Sequence, residues 1–568
     1  MSWQSNAQGK RASLIELIPP KWRIPTSDIP SVTRLRDFGE YICRFLDRRE
    51  LEITNAPSSR ILANIRSGEW TSVDVTRAFC HRASVAHQLT NCLSEICFVA
   101  AEQRAKALDE SFLRTGQTVG PLHGLPVSLK DRFNIEGLES ACGYVSWLGK
   151  EKSENNEGIL VKRLRRMGAV FFVKTNVPMS MLMGETNNNI IGSTINPYNR
   201  NLSAGGASGG EGALLALKGS PLGWGSDIAG SIRIPCAFNN LFGLRPSFGR
   251  LPASGMATSL PGLPVNGSVV GPMAGDLPTI EMAMKVVLDT FPWQDDCDVL
   301  EMPWREEKLQ NIRSRTARHR ERDGKLVFAV MSCDGNVQVH PPVQRAMALV
   351  TKALLQRGYE VIEWQPPPHH DAVQTLFQIL GSTAGKEVRN AIDASGEPPV
   401  HQLQTWYDND NVEPSSSAEF WDLCNQRDQY RSEYNQYWTS TREKNVAKRQ
   451  VDGVIMPVAP TAAVEEGCFN YYAYSGIVNL LDYTSGSFPV TFADRSIDVE
   501  TPDHVPLNPT DRAIWRTYQK DLFDGAPVGL QVMGKRFEEE KVLGLMEALT
   551  AALQDFSVGQ IGEPSSPF

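Results

Sequence analysis

The sequence lacks the features that mark several large classes of protein. Its ten cysteines form no CxxC pair, which argues against a zinc ribbon or a dithiol redox motif. No run approaches the roughly 20 apolar residues of a membrane-spanning helix, and the N-terminal segment meets Pro19 and Pro20 before any apolar core of signal-peptide type. Charged residues are dispersed, with a net charge of -8 and no basic block, which disfavours nucleic acid as a partner. We therefore expect a cytoplasmic protein without a membrane span.

What is present is the composition of a globular protein with alternating secondary structure. The 568 residues are 41% hydrophobic and 21% charged, close to the average of folded domains. A capped helix is predicted to begin after Thr71, and another helix is predicted over 160–166. Short β-rich runs surround and follow them: PVSLK, AVFFVKT, KLVFAVM, DGVIMPV, FPVTFAD and APVGLQVM. This order predicts an α/β fold with a large mixed, mostly parallel sheet covered by helices on both faces.

The predicted organisation is one large domain with an N-terminal extension. Residues 1–50 have the pattern of an amphipathic helical arm, residues 51–560 form the large domain, and residues 561–568 form a C-terminal tail. Such an arm packs either on its own core or on a second subunit of a homodimer, and both alternatives stay open.

The most unusual stretch of the sequence is rich in glycine. It begins at Asn201, reads NLSAGGASGGEGALLALKGSPLGWGSDIAGSIRIP, and carries Ser208, Ser226, Asp227 and Ser231 among its glycines. Glycine at this density lets the backbone approach a ligand closely, so that N–H groups can point at a negative charge. The stretch therefore predicts an anion-binding loop.

Three kinds of site compete to explain that loop. A phosphate site is disfavoured, because neither GxxxxGK[ST] nor GxGxxG occurs. Residues 206–210 match the G-x-S-x-G elbow of α/β-hydrolases, but the preceding NPYNRNLSAGG is polar where the elbow requires a buried strand. The third explanation is the oxyanion of an acyl-transfer intermediate, bound by the consecutive amides of Ile228, Ala229, Gly230 and Ser231.

Several separate motifs in the same order resemble the amidase-signature family. They are HGLPVSLKD, VKTNVP, NNIIGSTINPYN, GGASGGEGA, GSDIAGSIRIP, GLRPSFGRLP, MPVAPTAAV and GAPVGLQVMG, and they cover nearly the whole chain from about residue 50. Within the family, the chain most resembles the fungal acetamidase-type members. The resemblance implies an amidase-signature fold over 51–560 and hydrolysis of a carboxamide C–N bond, with a small-molecule amide as substrate and without a metal or other cofactor.

The resemblance also implies which residues carry the reaction. Ser231 corresponds to the family's nucleophile, which forms an acyl-enzyme, and Lys130 corresponds to its base. A charged lysine cannot accept a proton, so the pKa of Lys130 must be lowered, and the apolar strand before it predicts the necessary burial.

One expected catalytic serine is missing from the sequence. The family places a relay serine, held by a cis peptide, at the first serine of GGSSGG, and this chain has Ala207 at that position. A methyl group neither donates nor accepts a hydrogen bond, so we expect impaired hydrolysis. Either Ala207 was introduced to inactivate the enzyme, or the natural protein diverged and uses another route or binds without turnover.

The remaining site predictions concern supporting residues. Ser208 is expected to bond nearby backbone, and Asp227 and Arg233 are expected to form a pair that fixes the loop. Met181 corresponds to a position that lines the acyl site. Two other functions stay open: a catalytically silent amidase-fold binding protein and an acyltransferase that forms amides.

Overall fold

The fold is given by a computed structural model that describes residues 2–319, 321, 324–407, 412–500 and 504–560. The predicted tail, 561–568, lies outside the described residues. The strands are β1 (Leu93–Ile96), β2 (Pro126–Lys130), β3 (Val170–Thr175), β4 (Gly223–Asp227), β5 (Phe242–Arg245), β6 (Val269–Ala274), β7 (Val327–Val330), β8 (Glu360–Glu363), β9 (Gly453–Pro457), β10 (Ser485–Phe492) and β11 (Pro527–Met533).

Helices connect these strands and flank them. The α-helices are α1 (Trp3–Leu17), α2 (Arg48–Thr54), α3 (Ser58–Ser67), α4 (Ser72–Thr90), α5 (Phe98–Thr115), α6 (Ile159–Arg166), α7 (Gly209–Ala216), α8 (Arg233–Phe238), α9 (Leu277–Leu288), α10 (Glu306–Ala317), α11 (Pro341–Gln356), α12 (His369–Leu380), α13 (Lys386–Asp393), α14 (Gln404–Tyr407), α15 (Ser417–Ser440), α16 (Ala473–Leu481), α17 (Pro509–Trp515), α18 (Lys520–Phe523) and α19 (Glu539–Gln560). Among the helices in the described ranges, none is long and apolar enough to cross a bilayer.

The eleven strands of the described residues form one mixed sheet in the order β1-β3-β2-β4-β6-β5-β10-β11-β9-β7-β8. The prediction of a large mixed α/β sheet is confirmed, but the expectation that it is mostly parallel is wrong. Among the strand pairs of the described residues, four are parallel (β2 with β3 and β4, β7 with β8 and β9) and six are antiparallel. The cause is the centre of the sheet, where β4, β6, β5, β10, β11 and β9 alternate in direction.

Helices pack on both faces of this sheet at β11. A Cβ added to Gly529 would meet Ala237 of α8, and Gln531 accepts a hydrogen bond from Arg233 of the same helix. Val532 lies on the opposite face. A Cβ added to Gly453 of β9 would meet both Val532 and Leu545 of α19. The alternation of side chains along a strand thus places α8 and α19 on opposite faces.

The N-terminal segment packs on the chain's own core. Ala7 and Leu14 of α1 are buried, Lys10 pairs with Glu95 of β1, and the Phe38 amide donates to the Pro197 carbonyl over 2.8 Å. Beyond α1, this segment consists of short 3₁₀ turns and loops up to α2. Its division from the large domain at residue 50 stays a prediction.

Candidate active site

The end of strand β2 places Lys130 in the interior of the protein. All five residues of the strand are buried, and Lys130 is 1% exposed. Strand β2 runs parallel to β4, with Leu129 opposite Trp224. This register brings the Lys130 amine to Ser226, where Nζ donates to Oγ over 3.0 Å and lies 3.5 Å from the carbonyl oxygen.

The surroundings of Lys130 favour its neutral form. Burial lowers the pKa of Lys130 well below its ordinary value, and the neighbouring positive charge of Arg132 lowers it further. A buried amine that loses its proton easily can accept one from a reacting hydroxyl.

Strand β4 ends at Asp227, whose carboxylate fixes the following turn. Asp227 Oδ1 accepts from the Gly230 amide over 2.8 Å, and Oδ2 accepts from the Ile232 amide over 3.2 Å. Arg233 binds both carboxylate oxygens, over 3.0 and 3.1 Å. Burial alone would raise the pKa of Asp227, but the charge and hydrogen bonds of Arg233 lower it below its usual range. Asp227 is therefore ionised and bound to this turn, not free to act as an acid or base.

The turn that Asp227 fixes presents backbone amides beside Ser231. Within the part of the chain that the structure describes, the amides of Ile228, Ala229 and Ser231 donate to no protein group, whereas the Gly230 amide is occupied by Asp227. The Ala229 carbonyl is held by Ser475 Oγ at 2.6 Å. Three of the four amides predicted for the oxyanion site are thus available to a ligand.

Ser231 shares one pocket with Lys130. Both side chains line it, together with Arg132, Ser226 and Met181. The total empty volume of this pocket, including its mouth, is about 310 Å³. Ser231 is 7% exposed and lies two residues before α8, so only a small ligand has access to its hydroxyl.

Residues 180–182 and 258–260 form a further part of the pocket wall. The backbone of Ser180 and Met181 has φ of 68° and 62°, and the wall is fixed by a hydrogen bond of 2.7 Å from Ser259 Oγ to the Ser180 carbonyl. Tyr144 supports it through a hydroxyl 3.1 Å from Ser259 Oγ. The lining residues in the described ranges include none from 300–450.

Ala207 lies in the interior next to these groups. The Gly206–Ala207 peptide bond is cis, and Ala207 belongs to a buried apolar cluster with Tyr144, Met181 and Met183. Gly206 permits this close packing, since a Cβ there would lie 2.5 Å from the carbonyl oxygen of Glu185. The side chain at position 207 therefore offers no polar atom to the site.

Ser208 connects the Ala207 segment to the turn that carries Ser231. Its amide donates to the Ser231 carbonyl over 3.2 Å, and its Oγ lies 3.4 Å from both the amide and the carbonyl of Ser226. The glycine-rich segments around 207 and 231 are thus directly joined by hydrogen bonds.

Two residues near Lys130 received no role from the sequence. Ser226 is the hydroxyl that Lys130 contacts, and only the pairing of β2 with β4 brings them together. Glu211 of α7 is completely buried, where its carboxyl binds Ser128 Oγ at 2.6 Å and Thr175 Oγ1 at 3.0 Å. An acidic residue within the apolar stretch GGEGALLA was the available signal for Glu211.

The pKa of Glu211 makes a testable contribution to stability. Burial raises it from an ordinary 4.5 to about 8, so the folded protein keeps a proton that the unfolded chain loses. Its contribution is complete below pH 4.5 and is lost as the pH rises through 8. We expect Glu211→Gln to flatten the fall in unfolding free energy across this window by up to roughly 1.4 kcal/mol per pH unit, measured by denaturant titration at several pH values. Glu110→Gln, at an exposed position, is the control, and equal slopes for both variants and the parent would contradict the assignment.

Comparison with known proteins identifies the family of the chain. A profile for the family described as Amidase matches residues 74–543. The chain is 41% identical over 549 residues to the acetamidase of Emericella nidulans, a match spanning 96% of this chain and 97% of that protein. The chain belongs to the amidase family. An acetamidase of Aspergillus oryzae is 40% identical over 546 residues, covering 96% of this chain and 98% of that protein.

A solved structure has the same fold as this chain. A fatty acid amide hydrolase superposes with a TM-score of 0.89 and 32% identity, covering 97% of this chain and 95% of that one. The predicted amidase-signature fold is confirmed, and the chain is an amidase-signature enzyme of a class that hydrolyses amides.

Proposed function

We propose that this protein hydrolyses small linear carboxamides through an acyl-enzyme on Ser231, with Lys130 as the base. The observation that carries the proposal is the shared pocket, in which a buried amine of lowered pKa and a serine hydroxyl lie beside three backbone amides that have no acceptor among the described residues. The names of the two acetamidase relatives and the small volume of the pocket support a short acyl group. Cytoplasmic location stays a prediction.

The proposed reaction has two halves. Ser231 Oγ attacks the amide carbonyl carbon and loses its proton toward Lys130, while the developing oxyanion binds the amides of Ile228, Ala229 and Ser231. The C–N bond then breaks, the amine leaves with the proton, and water hydrolyses the resulting ester. In enzymes of this family a serine at the position of Ala207 passes the proton between nucleophile and lysine, and we propose that its absence slows both halves.

Because position 207 is an alanine, a second function is also proposed, in which the protein binds an amide or acyl ligand without turning it over. The same fold with an intact nucleophile and an interrupted proton path fits this function. Under it, the pocket recognises its ligand but Ser231 is not activated.

Covalent labelling of Ser231 tests whether the site has a nucleophile. We expect a small fluorophosphonate to add one phosphonyl group to Ser231, and Ser231→Ala to remain unlabelled by intact mass and peptide mapping. Ser208→Ala, which keeps the nucleophile, is the matched serine control and should still be labelled. Absence of labelling in the parent and in Ala207→Ser would sink the acyl-enzyme proposal, and product analysis with an added amine would separate hydrolysis from acyl transfer.

A further inference from the structure

Arg132 lies in the same pocket as the candidate catalytic residues. It follows Lys130 by two positions, immediately beyond β2, and lines the pocket together with Lys130 and Ser231. Arg132 as a whole residue is only 6% exposed. A guanidinium is cationic at all ordinary pH values, so a buried residue that lines the pocket carries a permanent positive charge.

Within the described part of the chain, one nitrogen of this guanidinium has no partner. Arg132 Nε donates to the Ala257 carbonyl over 3.1 Å, and Nη1 donates to Ser268 Oγ over 2.7 Å. Nη2 donates to no group among the described residues, and no carboxylate of the described residues lies within ion-pair distance of Arg132. Both occupied acceptors are neutral, so nothing in the described chain compensates the charge.

Other buried arginines of the chain differ in this respect. Arg233 pairs with Asp227, Arg245 pairs with Asp482, and Arg250 pairs with Glu539 and Glu540. Arg82 has no carboxylate partner among the residues that the structure describes, but it donates to three neutral oxygens outside the candidate site. Arg132 thus combines burial and a lining position in the pocket with a donor that has no acceptor among the described residues.

A buried cation without a counter-charge costs free energy. A ligand that carries a negative charge to this cation therefore binds more tightly, because it supplies the missing ion pair. A carboxylate suits this geometry best, since it accepts charge-assisted hydrogen bonds from a guanidinium. The ligand site is already the proposed amide site, so the carboxylate must belong to the same molecule as the amide.

We propose that the substrate is a small carboxamide that also carries a carboxylate, and that Arg132 binds this carboxylate. The inference rests on the proposed function and names its substrate class: amides in which a short spacer separates the reacting carbonyl from an anionic group. The carboxylate lies on the acyl side, as in the monoamide of a short dicarboxylic acid, or on the amine side, as in an N-acyl amino acid. Arg132 is a specificity-determining residue in this assignment.

Matched ligand pairs test the proposal with the chain as it stands, because Ala207 slows turnover during equilibrium binding. One pair is succinic monoamide and neutral succinamide, and the other is N-acetylglycine and neutral N-acetylglycinamide. In at least one pair, we expect calorimetry to show that the acid binds about 10- to 100-fold tighter than the neutral amide. Whichever of the two acids shows the larger preference over its neutral counterpart identifies the side of the amide that carries the carboxylate. Equal binding of acid and neutral amide in both pairs would overturn the proposal.

Variants at Arg132 show which group recognises the charge. Arg132→Gln should reduce the preference to about twofold or less, and Arg132→Lys, which keeps the charge, should retain part of it. Ser268→Ala removes a partner of Arg132 but not the charge and should keep the preference. A preference unchanged in Arg132→Gln would overturn the assignment. Thermal unfolding and Ser231 labelling report whether each variant keeps its fold, and the ligand pairs remain decisive in the parent chain if Arg132→Gln does not fold.

Turnover by Ala207→Ser separates this inference from the proposed function. A charge preference in binding without hydrolysis of any amide would leave the Arg132 assignment standing and defeat the hydrolase proposal. Hydrolysis of the acid and the neutral amide with equal kcat/KM, unaffected by Arg132→Gln, would uphold the hydrolase and overturn the Arg132 assignment.

Discussion

Replacing Ala207 by serine is expected to raise amide hydrolysis by about 10³-fold or more. Members of a catalytic unit act together, so restoring one missing member recovers most of the rate that its absence removes. Ser231, Lys130 and the three amides that donate to no group among the described residues are already in place, and Ser208 already joins the Ala207 segment to Ser231. The measurement is kcat/KM for aryl and alkyl amides, with esters and carbamates as further substrates.

A second serine substitution in the same loop controls for a general effect of an added hydroxyl. Ala204 is fully buried and precedes Ala207 by three residues, so Ala204→Ser adds the same group outside the proposed proton path and should give no gain. A thermal unfolding curve checks that Ala207→Ser folds, because a buried hydroxyl without a partner would destabilise the protein by about 1–3 kcal/mol. If a folded Ala207→Ser gains no activity toward any substrate, deliberate inactivation fails as an explanation and divergence or silent binding is favoured.

The sequence predicted those elements whose local pattern was strong. β2, β3, β7, β9, β10 and β11 coincide with β-rich runs, α6 coincides with 160–166, and α4 begins after Thr71, whose side chain accepts from the Asp74 amide. β4 was not identified, because GWGSD contains little that favours a strand. Its pairing with β2 on one side and β6 on the other supplies what its composition lacks. The antiparallel centre of the sheet was missed for a related reason, since strand direction depends on distant partners.

The candidate site likewise has features that the sequence predicted and features that it did not. The roles of Ser231, Lys130 and Ala207 came from the resemblance to a family, and those roles stay predictions. The contact of Lys130 with Ser226 and the occupation of the Gly230 amide by Asp227 depend on register and turn geometry, which spacing alone does not fix. The sequence likewise could not show that Nη2 of Arg132 has no acceptor among the described residues, because this depends on which acidic side chains the fold brings near it.

Replacing Lys130 by methionine in the Ala207→Ser chain is expected to lower kcat/KM by about 10³-fold or more. Lysine and methionine have similar length, and a neutral side chain suits a position that is 1% exposed, so Lys130→Met removes the base with little reason for unfolding. Lys130→Arg should be equally inactive, because a guanidinium keeps its proton and cannot accept another. Thermal unfolding curves of both variants give the comparison of their folds.

The pH dependence distinguishes a base from a residue that only positions its neighbours. Since the base is the neutral amine, kcat/KM of Ala207→Ser should fall as the pH falls through the pKa of Lys130, which burial and Arg132 hold well below its ordinary 10.5. Lys130→Met should lose this acid limb along with most of the rate. Arg132→Gln should move the limb to higher pH, because removing the neighbouring positive charge makes protonation of Lys130 easier. An acid limb that persists unchanged in Lys130→Met would assign the titration, and the base, to another group.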